Sequence, residues 1–315
     1  MLDKLTLKIY IYTEVEAENF AKKNNLKSWK SGNTTIYQSQ ENYKFTGIDI
    51  RIKDNKAKIT CSLHKLYYLW YYGKLDNSGI FTMTQARNTF FALCDKIGID
   101  PARTRITYYE IGLNIVTEND PLQYIDLIKS ISIGQDAVDN LEFYNDANFR
   151  KNRQKTTEKS TTLKRYFKVY DKGFEMANKK RELASENILR VETVRRRQDI
   201  PVNKFFEPPN IKRLASAFFD EWTTVKFERE IAAPKGTKES EKKRAKNILL
   251  LGREYYLQKS KKDFAAGKIT EKQDRTNREF IRDWNANKHK YKQLPSDHET
   301  EFKGKFERCF EIVRY

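Results

Sequence analysis

Short runs in which apolar and polar residues alternate are the feature that most restricts how this chain can fold. Leu5, Leu7, Ile9 and Ile11 alternate with Thr6, Lys8 and Tyr10, the period of a strand with one buried face. Ile48, Ile50 and Ile52 repeat the pattern, Asp54-Asn55 supplies a turn, and Ala57, Ile59, Cys61 and Leu63 alternate back. This predicts a hairpin with Lys58, Thr60, Ser62 and His64 on its polar face. Residues 104–116, 163–171 and 188–196 read as further strands. Helical character falls between them, over 14–23, over 84–97 with Thr84 as N-cap and Gly98 as stop, and over 121–131, 175–184 and 211–222. An aromatic-rich stretch covers 67–72, and the polar, basic 145–162 has no periodicity and reads as a mobile loop. Pro234-Lys235-Gly236 breaks the pattern, and a Lys-rich, mostly helical tail follows. The expected organisation is therefore one region over 1–232 and a helical, basic one over 233–315.

Charge then narrows the partner. The chain has 315 residues, 38% of them hydrophobic, which is enough for a globular core. Its formal net charge is +18, a field that attracts nucleic acid or an anionic membrane. No apolar run approaches the ~20 residues that span a bilayer. The opening residues alternate instead of forming a continuous apolar stretch, so a cytoplasmic protein is expected. Cys61, Cys94 and Cys309 have no zinc-site spacing and read as buried thiols. Residues 150–199 hold 16 Lys and Arg against 7 Asp and Glu, interleaved with Tyr166, Phe167 and Tyr170. Cations mixed with aromatic rings suit a single nucleic-acid strand, the first contacting phosphates and the second stacking on bases.

One class is excluded and a few residues stand out. There is no GxxxxGK[ST] loop, so a P-loop ATPase is not expected. The only histidines are His64, His289 and His298, so a metal site would rely on carboxylates, which select Mg²⁺ or Mn²⁺. On a strand, Glu110, Gly112 and Asn114 share one face, opposite Tyr109, Ile111 and Leu113. In extended form Tyr166, Lys168, Tyr170 and Lys172 line one face. A phenol is a poor nucleophile at its free pKa of about 10, and flanking lysines would favour the phenolate. Arg190 and Glu192 point one way, and Leu189, Val191 and Thr193 the other.

In this order, the segments resemble the gene II/X type of phage and plasmid rolling-circle replication initiators, the family of the filamentous-phage replication proteins. MLDKLTLKIY is similar to that family's opening strand, and FTGIDIRIKDNKAKITCSLHKLYYLW to its second block. RITYYEIGLNI resembles the strand with an acidic residue, here Glu110. LKRYFKVYDKGFE resembles the nucleophile segment, which places the tyrosine and the lysine two residues on at Tyr170 and Lys172. LRVETVRRR resembles the later Arg-x-Glu strand, here Arg190 and Glu192. The resemblance runs from residue 1 to about 225 of the sequence.

The resemblance implies an α+β fold of the HUH/Rep type, a central antiparallel sheet flanked by helices, followed by the helical basic tail. It also implies a metal-dependent DNA nicking-joining endonuclease. Tyr170 would attack and become linked to a 5′ phosphate, with Lys172 offsetting charge on phosphorus. Members with the HUH motif hold their metal with two histidines; here Glu110 and Glu192 stand in, with His64 as a third candidate. Tyr166 is the rival nucleophile. Lys65, Arg165, Tyr166, Lys168, Arg190 and Arg195 are the expected DNA contacts. The implied partners are single-stranded or hairpin origin DNA and a host helicase and polymerase, in a bacterial cytoplasm. The competing readings are a non-catalytic DNA-binding copy-control or regulatory protein, a related single-tyrosine relaxase or transposase, a tyrosine recombinase, and an RNA-binding or membrane-surface role.

Overall fold

The computed structural model describes residues 1–11, 13–41, 46–132, 140–145, 153–158, 163–178 and 186–314. Its strands are β1 (Leu2–Tyr10), β2 (Lys27–Ser31), β3 (Thr34–Gln38), β4 (Ile48–Lys53), β5 (Lys56–Ser62), β6 (Thr104–Val116), β7 (Ile128–Ser132) and β8 (Asn140–Glu142). They continue as β9 (Tyr144–Asn145), β10 (Gln154–Thr156), β11 (Arg165–Asp171), β12 (Ile188–Pro201), β13 (Lys226–Phe227), β14 (Glu230–Ala232) and β15 (Lys292–Leu294). Ten of them form one sheet in the order β2-β3-β4-β5-β1-β6-β12-β11-β10-β9. Every pairing within it is antiparallel. The fold is thus α+β, a large antiparallel sheet with flanking helices and a mainly helical C-terminal region.

The alternation read from the sequence sets this sheet. Leu5, Leu7, Ile59, Cys61, Ile111, Leu113, Val169 and Val191 are all buried in one core. The hairpin β4–β5 turns at Asp54 and Asn55, both with positive φ (50° and 55°), as a two-residue turn of matching twist requires. The core side is closed by Met83–Ile97, Val202–Phe205, Pro208–Thr223 and Asp297–Val313. Trp222 packs edge-on against Phe167 at 5.9 Å between ring centroids and donates its indole N–H to Thr193.

Some expected bounds move for local reasons. The aromatic stretch 67–72 is the C-terminal part of a helix, Leu63–Tyr72, capped by Ser62 and stopped by Gly73 in a left-handed conformation. Met83–Ile97 is capped by Thr82 instead of Thr84, because Gln85 completes a reciprocal capping box with it. The helix expected over 121–131 divides after Leu127, where β7 begins. The expected loop 145–162 contributes Asn145 to β9 and Gln154–Thr156 to β10; residues 146–152 and 159–162 lie outside the described part. The helix expected at 175–184 starts earlier, as Lys172–Asn178, and the rest of that expectation also lies outside the described residues.

Beyond Ala232 the chain builds a second, smaller core from Ala245, Ile248, Tyr256, Ile281, Trp284 and Tyr291. The final helix, Asp297–Val313, returns to the main core through Phe302, Phe306, Phe310 and Val313. Among the described residues no helix is long and apolar enough to cross a membrane.

Candidate active site and its buried ion-pair network

Sheet register brings the singled-out polar residues together. β12 lies between β6 and β11, so Glu192 stands opposite Gly112 on one side and Lys168 on the other. Arg190 likewise stands between Asn114 and Tyr170. Directly opposed residues in an antiparallel pair share a face, and that face is the one turned away from Phe167, Val169 and Val191.

Tyr170 is 9% exposed and its hydroxyl donates to Glu192 Oε1 at 2.9 Å. The same oxygen accepts from Arg190 Nε at 2.7 Å, and Glu192 Oε2 pairs with Lys168 Nζ at 2.5 Å. Lys168 also reaches Glu110 Oε1 at 3.3 Å, so its ammonium bridges the two glutamates. Arg190, only 1% exposed, continues the chain of contacts to Asn114 Oδ1 (2.9 Å) and Asp3 Oδ2 (2.6 Å). Asn77 Nδ2 and Ser62 Oγ complete the shell of Asp3. A buried arginine is tolerated at such a position because its rigid fork meets an acceptor in each direction.

The electrostatics are coupled through this shell. Burial, then the charge of Glu192, pushes the Tyr170 phenol well above its ordinary pKa, although Arg190 acts in the opposite direction. The expectation that neighbouring lysines favour the phenolate is therefore reversed in the resting site, where a buried phenol donates to a carboxylate. Burial alone would raise the Glu192 carboxyl, but Lys168 and then Arg190 outweigh it and hold it at about 2. A carboxyl lowered on folding contributes stability above its unfolded pKa, and that stability fades as pH falls toward the folded value. Glu192→Gln is thus expected to flatten the loss of stability between pH 4.5 and about 2, read from urea unfolding across that range.

Gly112 is the sterically decisive position. A Cβ there would lie 2.9 Å from Glu192 Cγ and 3.0 Å from Arg190 Nη2. Both side chains are fixed by ion pairs and have little room to retreat. Gly112→Ala is expected to cost roughly 1–3 kcal/mol, the usual range for overpacking, measurable by equilibrium denaturation.

Other expected contacts sit elsewhere. Lys172 is not on the Tyr170 strand face, because β11 ends at Asp171 and Lys172 begins a helix. Its buried ammonium meets Asn77 Oδ1 (2.7 Å) and Glu175 Oε2 (2.5 Å). Arg165 and Arg195 face the helix side, where both pair with Glu221. The alternation of β11 and β12 places them opposite Tyr170. Lys65 is buried in the first turn of Leu63–Tyr72, its backbone N–H bonded to Ser62 Oγ. Tyr166 is buried under Arg196, which lies over its ring at 4.4 Å and donates to its hydroxyl at 3.0 Å. His64 is buried, stacked on Phe81 at 4.5 Å, and its burial pushes its pKa well below the ordinary value.

Glu110 and Glu192, the carboxylates expected to hold a divalent ion, come together on the Lys168 ammonium. Lys168 already holds a positive charge between them. A hard cation that keeps several waters and meets a substrate phosphate needs no more than one or two carboxylates. His64 does not join them, and among the described residues no three His, Cys, Asp or Glu side chains converge. Asp3 and Asn77 are the members of the network that sequence reasoning missed. Asp3 carried a faint signal as a polar residue in the apolar opening of β1, whereas Asn77 lies outside any periodic segment.

No family model matches this sequence, and no curated protein matches it. Among solved structures, the chain is similar to a rolling circle replication initiator protein from Geobacillus stearothermophilus at 11% identity, with a TM-score of 0.35. The overlap covers 78% of this chain and 90% of that one. A likeness this slight carries neither the fold nor the chemistry, which rest on the geometry above.

Proposed function

We propose that this chain is a rolling-circle replication initiator that nicks and rejoins one strand of origin DNA through Tyr170. The observation that carries the reading is the Tyr170 hydroxyl on Glu192 Oε1 inside a cation-rich shell. Among residues singled out for chemistry, this is a nucleophile with a carboxylate in hydrogen-bond reach and ammonium and guanidinium groups beside it, the combination that acyl and phosphoryl transfer sites share. The motif order in the sequence and the net charge of +18 point the same way.

The resting pair is unreactive: the phenol is held protonated and Glu192 is a weak base. A scissile phosphate entering beside Lys168 and Arg190 would draw their charge from Glu192 and raise its basicity. The Tyr170 oxygen then bonds to phosphorus as its proton passes to Glu192. The P–O3′ bond breaks, the departing oxygen takes a proton from Glu192 or water, and a 5′-phosphotyrosine and a 3′ hydroxyl remain. Lys168 and Arg190 offset the negative charge that gathers on the phosphoryl oxygens. Mg²⁺ or Mn²⁺ held by Glu110 and Glu192 would supply Lewis-acid polarisation of a phosphate oxygen. The free 3′ end primes a host polymerase on a duplex opened by a host helicase, and rejoining conserves the bond energy.

The test is a nicking assay on a supercoiled plasmid carrying the source replicon's origin. An EDTA-sensitive nick with protein attached to the 5′ end is the expected result. Tight origin binding with no nick in either metal would replace this reading by the non-catalytic one. Attachment to a 3′ phosphate would indicate a tyrosine recombinase instead.

A further inference from the structure

Beside the ion-pair network lies a cavity of about 320 Å³ whose wall includes Asn114 and Arg190. Its lining is mostly apolar, and Ile80, Val116 and Ile312 stand around it 59%, 45% and 58% exposed. Apolar side chains left open to water around a cavity with a few polar groups are the composition of a small-ligand pocket. His64, 4% exposed, also lines it, and its Nε2 is buried with no hydrogen-bond partner. A buried ring nitrogen without a partner is costly unless a ligand atom supplies one.

We propose that this cavity receives one unstacked nucleobase of the bound strand, with His64 Nε2 meeting the polar edge of that base. The inference rests on the DNA-nicking reading and adds to it a base-specificity site. Three features select a base over other occupants. The apolar lining accepts a flat ring, and a single buried imidazole nitrogen offers one directional contact, which is how extruded bases are read. Arg190 belongs both to the cavity wall and to the shell of Glu192, so a strand whose phosphate meets Tyr170 has a neighbouring base at the mouth. The basic chain supplies the attraction for the strand itself.

The experiment measures fluorescence anisotropy of labelled oligo(dT), oligo(dA) and oligo(dC), and of an abasic strand of equal length. The proteins are the full chain, Ile80→Trp, Ile312→Trp and His64→Phe. The two tryptophans fill the mouth from exposed positions and should leave the melting temperature unchanged. The base-bearing strands are expected to lose roughly tenfold in affinity for both variants, about the worth of one stacked base, while the abasic strand binds as to the parent. His64→Phe keeps a ring on Phe81 and is expected to change the order of preference among dT, dA and dC. An unchanged advantage of base-bearing over abasic strands in both tryptophan variants would overturn the pocket. An unchanged order of preference in His64→Phe would overturn the contact assigned to His64. If no strand binds the parent chain, the nucleic-acid reading itself fails, which is a different result from a silent pocket.

Discussion

Tyr170→Phe is expected to remove the covalent protein–DNA product entirely and to reduce strand cleavage by about 10⁴-fold or more, the scale seen when a nucleophile is deleted. Only the hydroxyl is lost, so the ring stays packed. The variant also gives up one hydrogen bond to a charged acceptor, worth about 1.5–3 kcal/mol, and Glu192 keeps Arg190 and Lys168 as partners. A folded, DNA-binding and inactive protein is therefore the predicted outcome, checked by denaturing gel for the adduct and by circular dichroism for the fold. Tyr166→Phe should retain the adduct. Its hydroxyl accepts from Arg196, and the carboxylate bonded to a tyrosine hydroxyl on this strand is the one at Tyr170.

Glu192→Ala is the substitution expected to damage the fold most. Glu192 is 2% exposed and balances two buried cations, Lys168 and Arg190. Deleting it leaves both charges short of a counterion in a poorly solvated site, which typically costs about 3–5 kcal/mol. Against a total stability of roughly 5–15 kcal/mol for a domain, that is a large share. Chemical denaturation should show a fall in the midpoint with little change in slope. Pairing Glu192→Ala with Lys168→Met should recover part of the loss, because one stranded cation is then gone. A double variant as unstable as the sum of the singles would show that Lys168 and Glu192 do not act on each other.

Much of the sheet was legible because alternation is a local signal. Leu5 to Ile11, the Asp54-Asn55 turn and the opposed faces of 109–114 and 189–193 all appear where the period of two puts them. Register was not legible. That Glu192 meets Gly112 and Lys168 depends on pairing strands far apart in sequence, and a one-residue slip would have sent each side chain to the other face. Parity alone separates Arg165 and Arg195 from Tyr170, since they sit at odd steps along their strands from Tyr166 and Arg190. Lys172 was misplaced because the strand ends one residue earlier, at Asp171. Asp3 and Asn77 could not be chosen from sequence, because their roles exist only once Arg190 on β12 reaches across β6 to Asp3 on β1.

The most direct test of the central claim is to map the covalent peptide. Protein and origin DNA are incubated with Mn²⁺, digested with protease and nuclease, and sequenced by mass spectrometry. The account predicts a nucleotide-bearing peptide modified at Tyr170 and joined to a 5′ phosphate. A modification at Tyr166 or at any other residue would contradict it.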